Sequence, residues 1–293
     1  VLVQQIVKFP KENMITYRAE GIKDPNFEYD LVAKWHNIET FIVTYKNWII
    51  TSKNNCVTGL NNFSAYVTDG VTSAFSDFEK SYKHLETCVF RGEYPYHHTL
   101  GIKSIDNLKE LSKQNKLIIS YPFSAHGNKH EHFDDIIDYC NLCDIPVFLD
   151  MAFFGTCANV NINVHQPCIK FVAFSLSKTF VTGFCRTGIC FTNEQNIAMK
   201  LINEYYYVNH VSLGMHTNLL KNFSADYVYN KYRSKQIKIC NEIDFEPSDT
   251  VFLGYSFTNK TFGKKYSREG YVNRVGLNYA LLEDNYNLKP IPF

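Results

Sequence analysis

Between Phe63 and Thr192, short apolar runs alternate with stretches of helical period, and no other feature constrains the fold of this chain as strongly. Phe63–Thr68, Thr87–Phe90, Lys116–Ser120, Pro146–Leu149, Phe171–Phe174 and Gly188–Phe191 read as strands. Phe75, Phe78 and Tyr82 recur at helical spacing over Thr72–Tyr82, and Ser104 is placed to cap a polar helix expected over Ser104–Gln114. Over Lys129–Cys143, Phe133, Ile136, Ile137 and Cys140 fall at i, i+3, i+4 and i+7, a single stripe that needs a sheet to cover it. Strands linked by helices return parallel to one another through right-handed crossovers. The expected fold class is therefore α/β, a mostly parallel sheet covered by helices, in a large unit over residues 46–205. After Thr192 the alternation stops. Helical stretches at Asn193–Tyr207 and Ala225–Ile243 precede strands at Val251–Phe257 and Tyr271–Tyr279. This part reads as a smaller α+β unit made of residues 206–293 with residues 1–45.

Composition excludes several classes of function. The 30 Lys+Arg against 29 Asp+Glu leave a net charge of +1, too little to draw the chain to nucleic acid or an acidic membrane. No run approaches the ~18 apolar residues of a membrane span. The start of the chain shows no basic segment followed by an apolar one, so no signal peptide is visible. Nine cysteines, an odd number in a long chain, fit buried free thiols in a reducing compartment. The one close pair, Cys140 and Cys143, ends a helix instead of opening one and has no second pair at zinc-site spacing, so no metal is expected. A cytoplasmic, soluble protein is the expectation.

In parallel α/β sheets ligands bind at the carboxyl ends of the strands. Asp69, Ser120, Asp150 and Ser175 gather there. The sharpest segment is Ser175-Leu-Ser177-Lys178, with Arg186 further along the same loop. A Lys just beyond a buried strand loses proton affinity, because burying an ammonium is costly, and a neutral amine suits Schiff-base chemistry. Arg186 adds a permanent forked cation suited to phosphate. Taken alone, such a segment equally describes a solvated loop. Asp69-Gly70-Val71-Thr72 joins a strand to a helix, which makes an anion site of the backbone N–H groups and the Thr72 hydroxyl. Asp150 ends an otherwise apolar strand and needs a cationic or hydrogen-bonding partner, and Tyr94 offers a flat ring.

In this order the segments resemble the fold-type I pyridoxal-phosphate enzymes, the aspartate aminotransferase (class I/II aminotransferase) family in particular. The resemblance spans about Phe63 to Thr192 and one element beyond. It implies that Gly70, Val71 and Thr72 form the phosphate-binding turn and that Tyr94 stacks on the cofactor ring. It also implies that Asp150 pairs with the pyridine nitrogen and that Ser175, Ser177 and Arg186 help hold the cofactor. Lys178 matches the Schiff-base lysine, and Arg274, in Tyr-Val-Asn-Arg-Val-Gly-Leu-Asn, matches the arginine that holds the substrate carboxylate. Two departures stand out. The family's Asn-Pro-Thr-Gly is Ser124-Ala-His126-Gly127 here, leaving Ser124 or His126 as donor to the phenolic oxygen, and its Tyr three residues after the Asp is Phe153. The resemblance implies a homodimeric aminotransferase moving an amino group between an amino acid and a keto acid, with pyridoxal 5'-phosphate on Lys178. A decarboxylase, lyase or racemase would use the same cofactor residues, and a non-catalytic protein of this fold is a further alternative.

Overall fold

The apolar runs assemble into one seven-stranded sheet in the computed structural model, which describes residues 15–17, 19–31, 36–258 and 264–283. Across the sheet the order is Ser64–Thr68, Gly188–Thr192, Ile169–Ser175, Val147–Met151, Asn115–Ser120, Glu86–Phe90, Lys103–Ile105. The last five pair parallel in succession, and Gly188–Thr192 runs antiparallel to both its neighbours. The α/β expectation holds. Because Gly188–Thr192 is reversed, its first residue lies beside the last residues of the parallel strands, with Gly188 paired to both Ser175 and Thr68. One edge of the sheet therefore collects every strand end that the sequence marked as polar.

Alternation along the strands divides the core between two faces. Ile118, Phe148, Phe171, Ala173 and Cys190 point to one side, where Val71, Ala74, Phe75 and Phe78 of the helix Val71–Ser81 cover them. Phe75 and Phe78 meet the Phe148 ring edge-on at 4.8 and 5.6 Å between centroids. Leu117, Ile119, Val147, Leu149, Val172 and Phe174 point the other way. There they join a cluster that includes Phe133, Ile136, Ile137 and Cys140 of the helix Phe133–Leu142. Each large apolar side chain buried in this way contributes roughly 1.5–3 kcal/mol, and coverage on both faces is what parallel sheets require.

The expected helix over Ser104–Gln114 does not form. Lys103–Ile105 adds a parallel edge strand to Glu86–Phe90, and only a single 3-10 turn, Leu108–Glu110, follows. The sequence there is polar and offers no apolar stripe. Local bonds capture it instead: Asn107 Oδ1 accepts from Lys109 N, and Glu110 Oε1 accepts from Asp106 N and Asn107 N. The Ser104 hydroxyl donates to Glu269 and caps nothing. The expected helix Asn193–Tyr207 is shorter, Ala198–Glu204, because Asn193 is used in tying strand ends, accepting from Ser64 N and donating to Asn62 O. The helix His210–Asn222 was not singled out by periodicity.

Beyond it, the helix Tyr227–Glu242 packs on a four-stranded antiparallel sheet ordered Glu246–Pro247, Leu253–Ser256, Val272–Gly276, Ser267–Arg268. Gln236 joins the two, its amide donating to the carbonyls of Ser248, Thr250 and Leu253. Of the expected small unit, residues 1–14, 18, 32–35, 259–263 and 284–293 lie outside the described residues. Thr16 bridges to Gly276 of this small sheet, whereas the helix Ile38–Ile50 packs on His210–Asn222 and on Ser64–Thr68 of the large one.

Candidate active site

The strand ends surround a cavity of about 400 Å³, within the range of small-molecule sites. The loop from Ser175 to Gly188 forms one wall. It is pinned from outside: Thr179 Oγ1 donates to Phe154 O at 2.9 Å, Tyr29 Oη donates to Phe180 O at 2.8 Å, and His216 Nε2 lies 2.8 Å from Thr182 Oγ1. Lys178, partly buried, faces the cavity with its Nζ 5.2 Å from the Phe153 ring centre and 5.8 Å from that of Tyr94. Burial lowers its proton affinity below the ordinary lysine value, and Arg274 and Arg186 add to this, while Asp150 works against it.

Asp150, the residue beside Ser120 in the adjacent strand, is 6% exposed. Its Oδ1 accepts from Ala152 N at 2.8 Å, and no ion pair among the described residues closes on it. Burial pushes its carboxyl up to about 6, against the pull of Lys178 and the Ala152 N–H. A buried carboxylate left without a cation is costly, and a protonated ring nitrogen in the cavity would supply one.

A second cluster lies at the start of the helix Val71–Ser81. Gly70 has φ +82°, and a Cβ there would come within 2.9 Å of the Arg186 guanidinium and 3.3 Å of Ser175 Oγ. Glycine is thus required both by the backbone and by the space. Arg186 Nε donates to Asp69 O at 3.0 Å and its NH2 to Thr72 Oγ1 at 3.4 Å. Ser175 Oγ accepts from Ser177 N, and the buried Ser177 hydroxyl has no partner. Hydroxyls, a guanidinium and a helix start converge with a donor to spare, which is the chemistry of a phosphate cradle. The residues present fit pyridoxal phosphate: a cradle for its phosphate, a lone carboxylate for its ring nitrogen, and an amine for its aldehyde.

Every expected site residue except Gly70 and the alternative donor His126 lines the cavity, and Gly70 borders it through Arg186 and Ser175. Tyr94 is among them though 40% exposed. Arg274, 4% exposed, donates from NH1 to Ser124 O at 2.6 Å, and its Nε has no partner. Burial holds its proton affinity well below the usual guanidinium value, and Arg268 depresses it further. His126 does not reach the cavity. It packs against Tyr255, Tyr271 and Phe257 at 5.7–6.4 Å, and its Nδ1 accepts from Asn128 N, so of the two residues only Ser124 lines the cavity. No cluster of His, Cys, Asp or Glu among the described residues is arranged to hold a metal.

Several wall residues escaped the sequence reading. Tyr17, Ala19 and Glu20 come from the N-terminal segment, and Arg268 from the small sheet. Gly21 lies so close to the lysine that a Cβ would sit 1.6 Å from Lys178 O. Behind the wall, Glu93 is buried and accepts from Ser120 N at 2.6 Å and from Ser120 Oγ at 2.8 Å; burial pushes it up to about 7. Ser120 Oγ in turn accepts from Ser124 N at 2.7 Å. None of these carried a local signal, because their partners lie far away in the sequence.

No protein-family model matches the sequence, and no curated protein is similar enough in sequence to count as a match. Solved structures do match. An aminotransferase from Staphylococcus aureus superposes with a TM-score of 0.62 at 13% identity, covering 96% of this chain and 94% of that one. A pyridoxal-phosphate-bound putative aminotransferase from Clostridium difficile gives 0.60 at 13% identity, covering 87% and 82%. The L-threonine-O-3-phosphate decarboxylase of Porphyromonas gingivalis gives 0.57 at 10%, covering 83% and 86%. The chain shares the fold of these enzymes.

Proposed function

We propose that this chain is a pyridoxal-phosphate-dependent aminotransferase acting between an amino acid and a keto acid. The observation that carries the reading is the meeting, in one cavity, of the Lys178 amine, the unpaired Asp150 carboxylate and the Gly70–Thr72–Ser175–Arg186 cradle. The fold shared with aminotransferases supports it. When bound, the cofactor supplies an electron sink for the pair released at the substrate α-carbon. Lys178 would hold it through its amine and serve as the base that moves the α-carbon proton, a role suited to an amine of lowered proton affinity. Asp150, ionised, would keep a proton on the ring nitrogen. Arg186, Ser175, Ser177 and Thr72, with the N–H groups that open the helix, would bind the phosphate. Tyr94 and Phe153 offer rings that exclude water from the cofactor. Arg274 would hold the α-carboxylate. The resemblance also supports a homodimer, the free cysteines support a reducing compartment such as the cytoplasm, and the alternation of strands and helices supports a large unit over residues 46–205.

The test is a visible spectrum of the purified protein with added pyridoxal phosphate, followed by borohydride reduction and peptide mapping. A yellow band that reduction fixes on the Lys178 peptide is expected. No band, or fixation at another lysine, refutes the cofactor assignment. A screen of amino donors against keto acids, with evolved carbon dioxide measured in parallel, separates transamination from decarboxylation.

A further inference from the structure

Glu93 is 2% exposed, and no ion pair among the described residues closes on its carboxylate. Burial on those terms costs stability, so packing alone does not account for an acid at this place. Its oxygens are held by two residues of the cavity wall. Ser120 N donates to Oε1 at 2.6 Å, the Ser120 hydroxyl lies 2.8 Å from both oxygens, and Tyr94 N donates to Oε2 at 3.1 Å. A carboxylate only accepts, and a serine hydroxyl has one proton to give. The Ser120 proton is therefore spent on Glu93, and Ser120 Oγ is left to accept, which it does from Ser124 N at 2.7 Å. Ser124 O then accepts from Arg274 NH1 at 2.6 Å. These bonds make one directed chain from Glu93 through Ser120 and Ser124 to Arg274, whose Nε has no partner. Burial pushes Glu93 up to about 7, so at pH 8 the accepting, ionised form prevails.

Under the function proposed above, on which this step rests, Arg274 holds the α-carboxylate. A guanidinium fork binds strongly only when its plane is aimed at the oxygens, and that aim is kept by the groups behind it. Because Ser124 O holds NH1, the position of Ser124 sets the direction of the rest of the fork. We propose that Glu93 is a positioning residue for the substrate: through Ser120 and Ser124, its carboxylate aims Arg274 at the α-carboxylate. Glu93 itself touches neither substrate nor cofactor. Arg268 braces the same turn, its NH2 donating to Glu93 O at 2.8 Å and to the Ser124 hydroxyl at 3.3 Å.

The test is calorimetric titration at pH 8 of the full chain, freed of cofactor, with N-(5'-phosphopyridoxyl)glycine and with pyridoxamine 5'-phosphate. The probes differ by one carboxymethyl group, so the ratio of their affinities reads the carboxylate site alone. Wild type should favour the glycine adduct about ten- to a hundredfold, and Arg274→Ala should abolish the preference. Glu93→Ala and Ser120→Ala should each cut the ratio about three- to tenfold. Glu93→Gln keeps the shape but turns one accepting oxygen into a donor, and should fall between wild type and Glu93→Ala. The double variant should lose no more than the worse single one, because both changes break the same chain. Should Glu93→Ala fail to fold, Ser120→Ala and Glu93→Gln carry the same comparison. An unchanged ratio in Ser120→Ala, or losses that add in the double variant, overturns the proposal. So does a loss of affinity that is equal for both probes, the mark of a merely structural carboxylate. A wild type that binds pyridoxamine phosphate without an Arg274-dependent preference for the adduct overturns this proposal and leaves the cofactor reading standing. A wild type that binds neither probe refutes the cofactor reading, and this proposal with it.

Discussion

Asp150→Asn should make the cofactor-free protein more stable while removing what the cofactor needs. Asparagine can still accept the Ala152 N–H that Asp150 accepts at 2.8 Å, so the change removes charge and little else. The Asp150 carboxyl stands at about 6 against an ordinary 3.8, chiefly through burial. At roughly 1.4 kcal/mol per pH unit, that difference destabilises the ionised, folded protein by at most about 3 kcal/mol. Losing the attraction to Lys178 offsets part of the gain, so about 1–3 kcal/mol is expected, or about 2–5 °C in melting temperature for a chain of this size. The pH window follows from the raised value. Below pH ~4 both folded and unfolded carboxyls are protonated, and variant and wild type melt alike. Between ~4 and ~6 the unfolded chain releases the proton first, so wild-type stability falls as pH rises; above ~6 the full difference is present. Glu93, raised to about 7 chiefly by burial, also feels the Asp150 charge, so removing that charge eases its ionisation and adds to the variant's gain in the same direction at high pH. The assay is thermal melting of cofactor-free wild type and variant from pH 4 to 8, repeated with pyridoxal phosphate, which should stabilise the wild type more. A variant that melts at or below wild type at pH 8, or a difference independent of pH, would refute the reasoning.

Two further outcomes are expected. Arg274→Ala should raise the KM for amino acids about ten- to a hundredfold, from the loss of a charge-assisted pair worth roughly 1.5–3 kcal/mol, with a much smaller fall in kcat; steady-state kinetics with unchanged KM would remove Arg274 from substrate binding. Gly21→Ala should push the N-terminal segment off the loop, since its Cβ would lie 1.6 Å from Lys178 O, and should cost about 1–3 kcal/mol; an unchanged melting temperature and unchanged cofactor affinity would show that the contact is not tight in solution.

Much of the fold was legible because its signals are local. Apolar runs between helical periods suffice to predict a covered parallel sheet, and a strand ending in a polar residue suffices to place Asp150 and Ser175 at its rim. Where local signals compete, the sequence misleads. The stretch from Ser104 to Gln114 has polar helix formers, but strand pairing with Glu86–Phe90 and the Asn107–Glu110 bonds take it. Ser124 is the donor the sequence favours and His126 an alternative beside it, and only the aromatic packing of Tyr255, Phe257 and Tyr271 around the imidazole turns His126 away.

The sequence by itself determined the sheet and the residues that must stand at its edge, because strand period, helix period and the spacing from Ser175 to Arg186 act over a few residues. Only the tertiary structure decided what closes the cavity. Gly21 against Lys178, Glu93 behind Ser120 and Arg268 on Ser124 are contacts between distant segments. No local pattern encodes them, since each exists only once packing has brought the segments together.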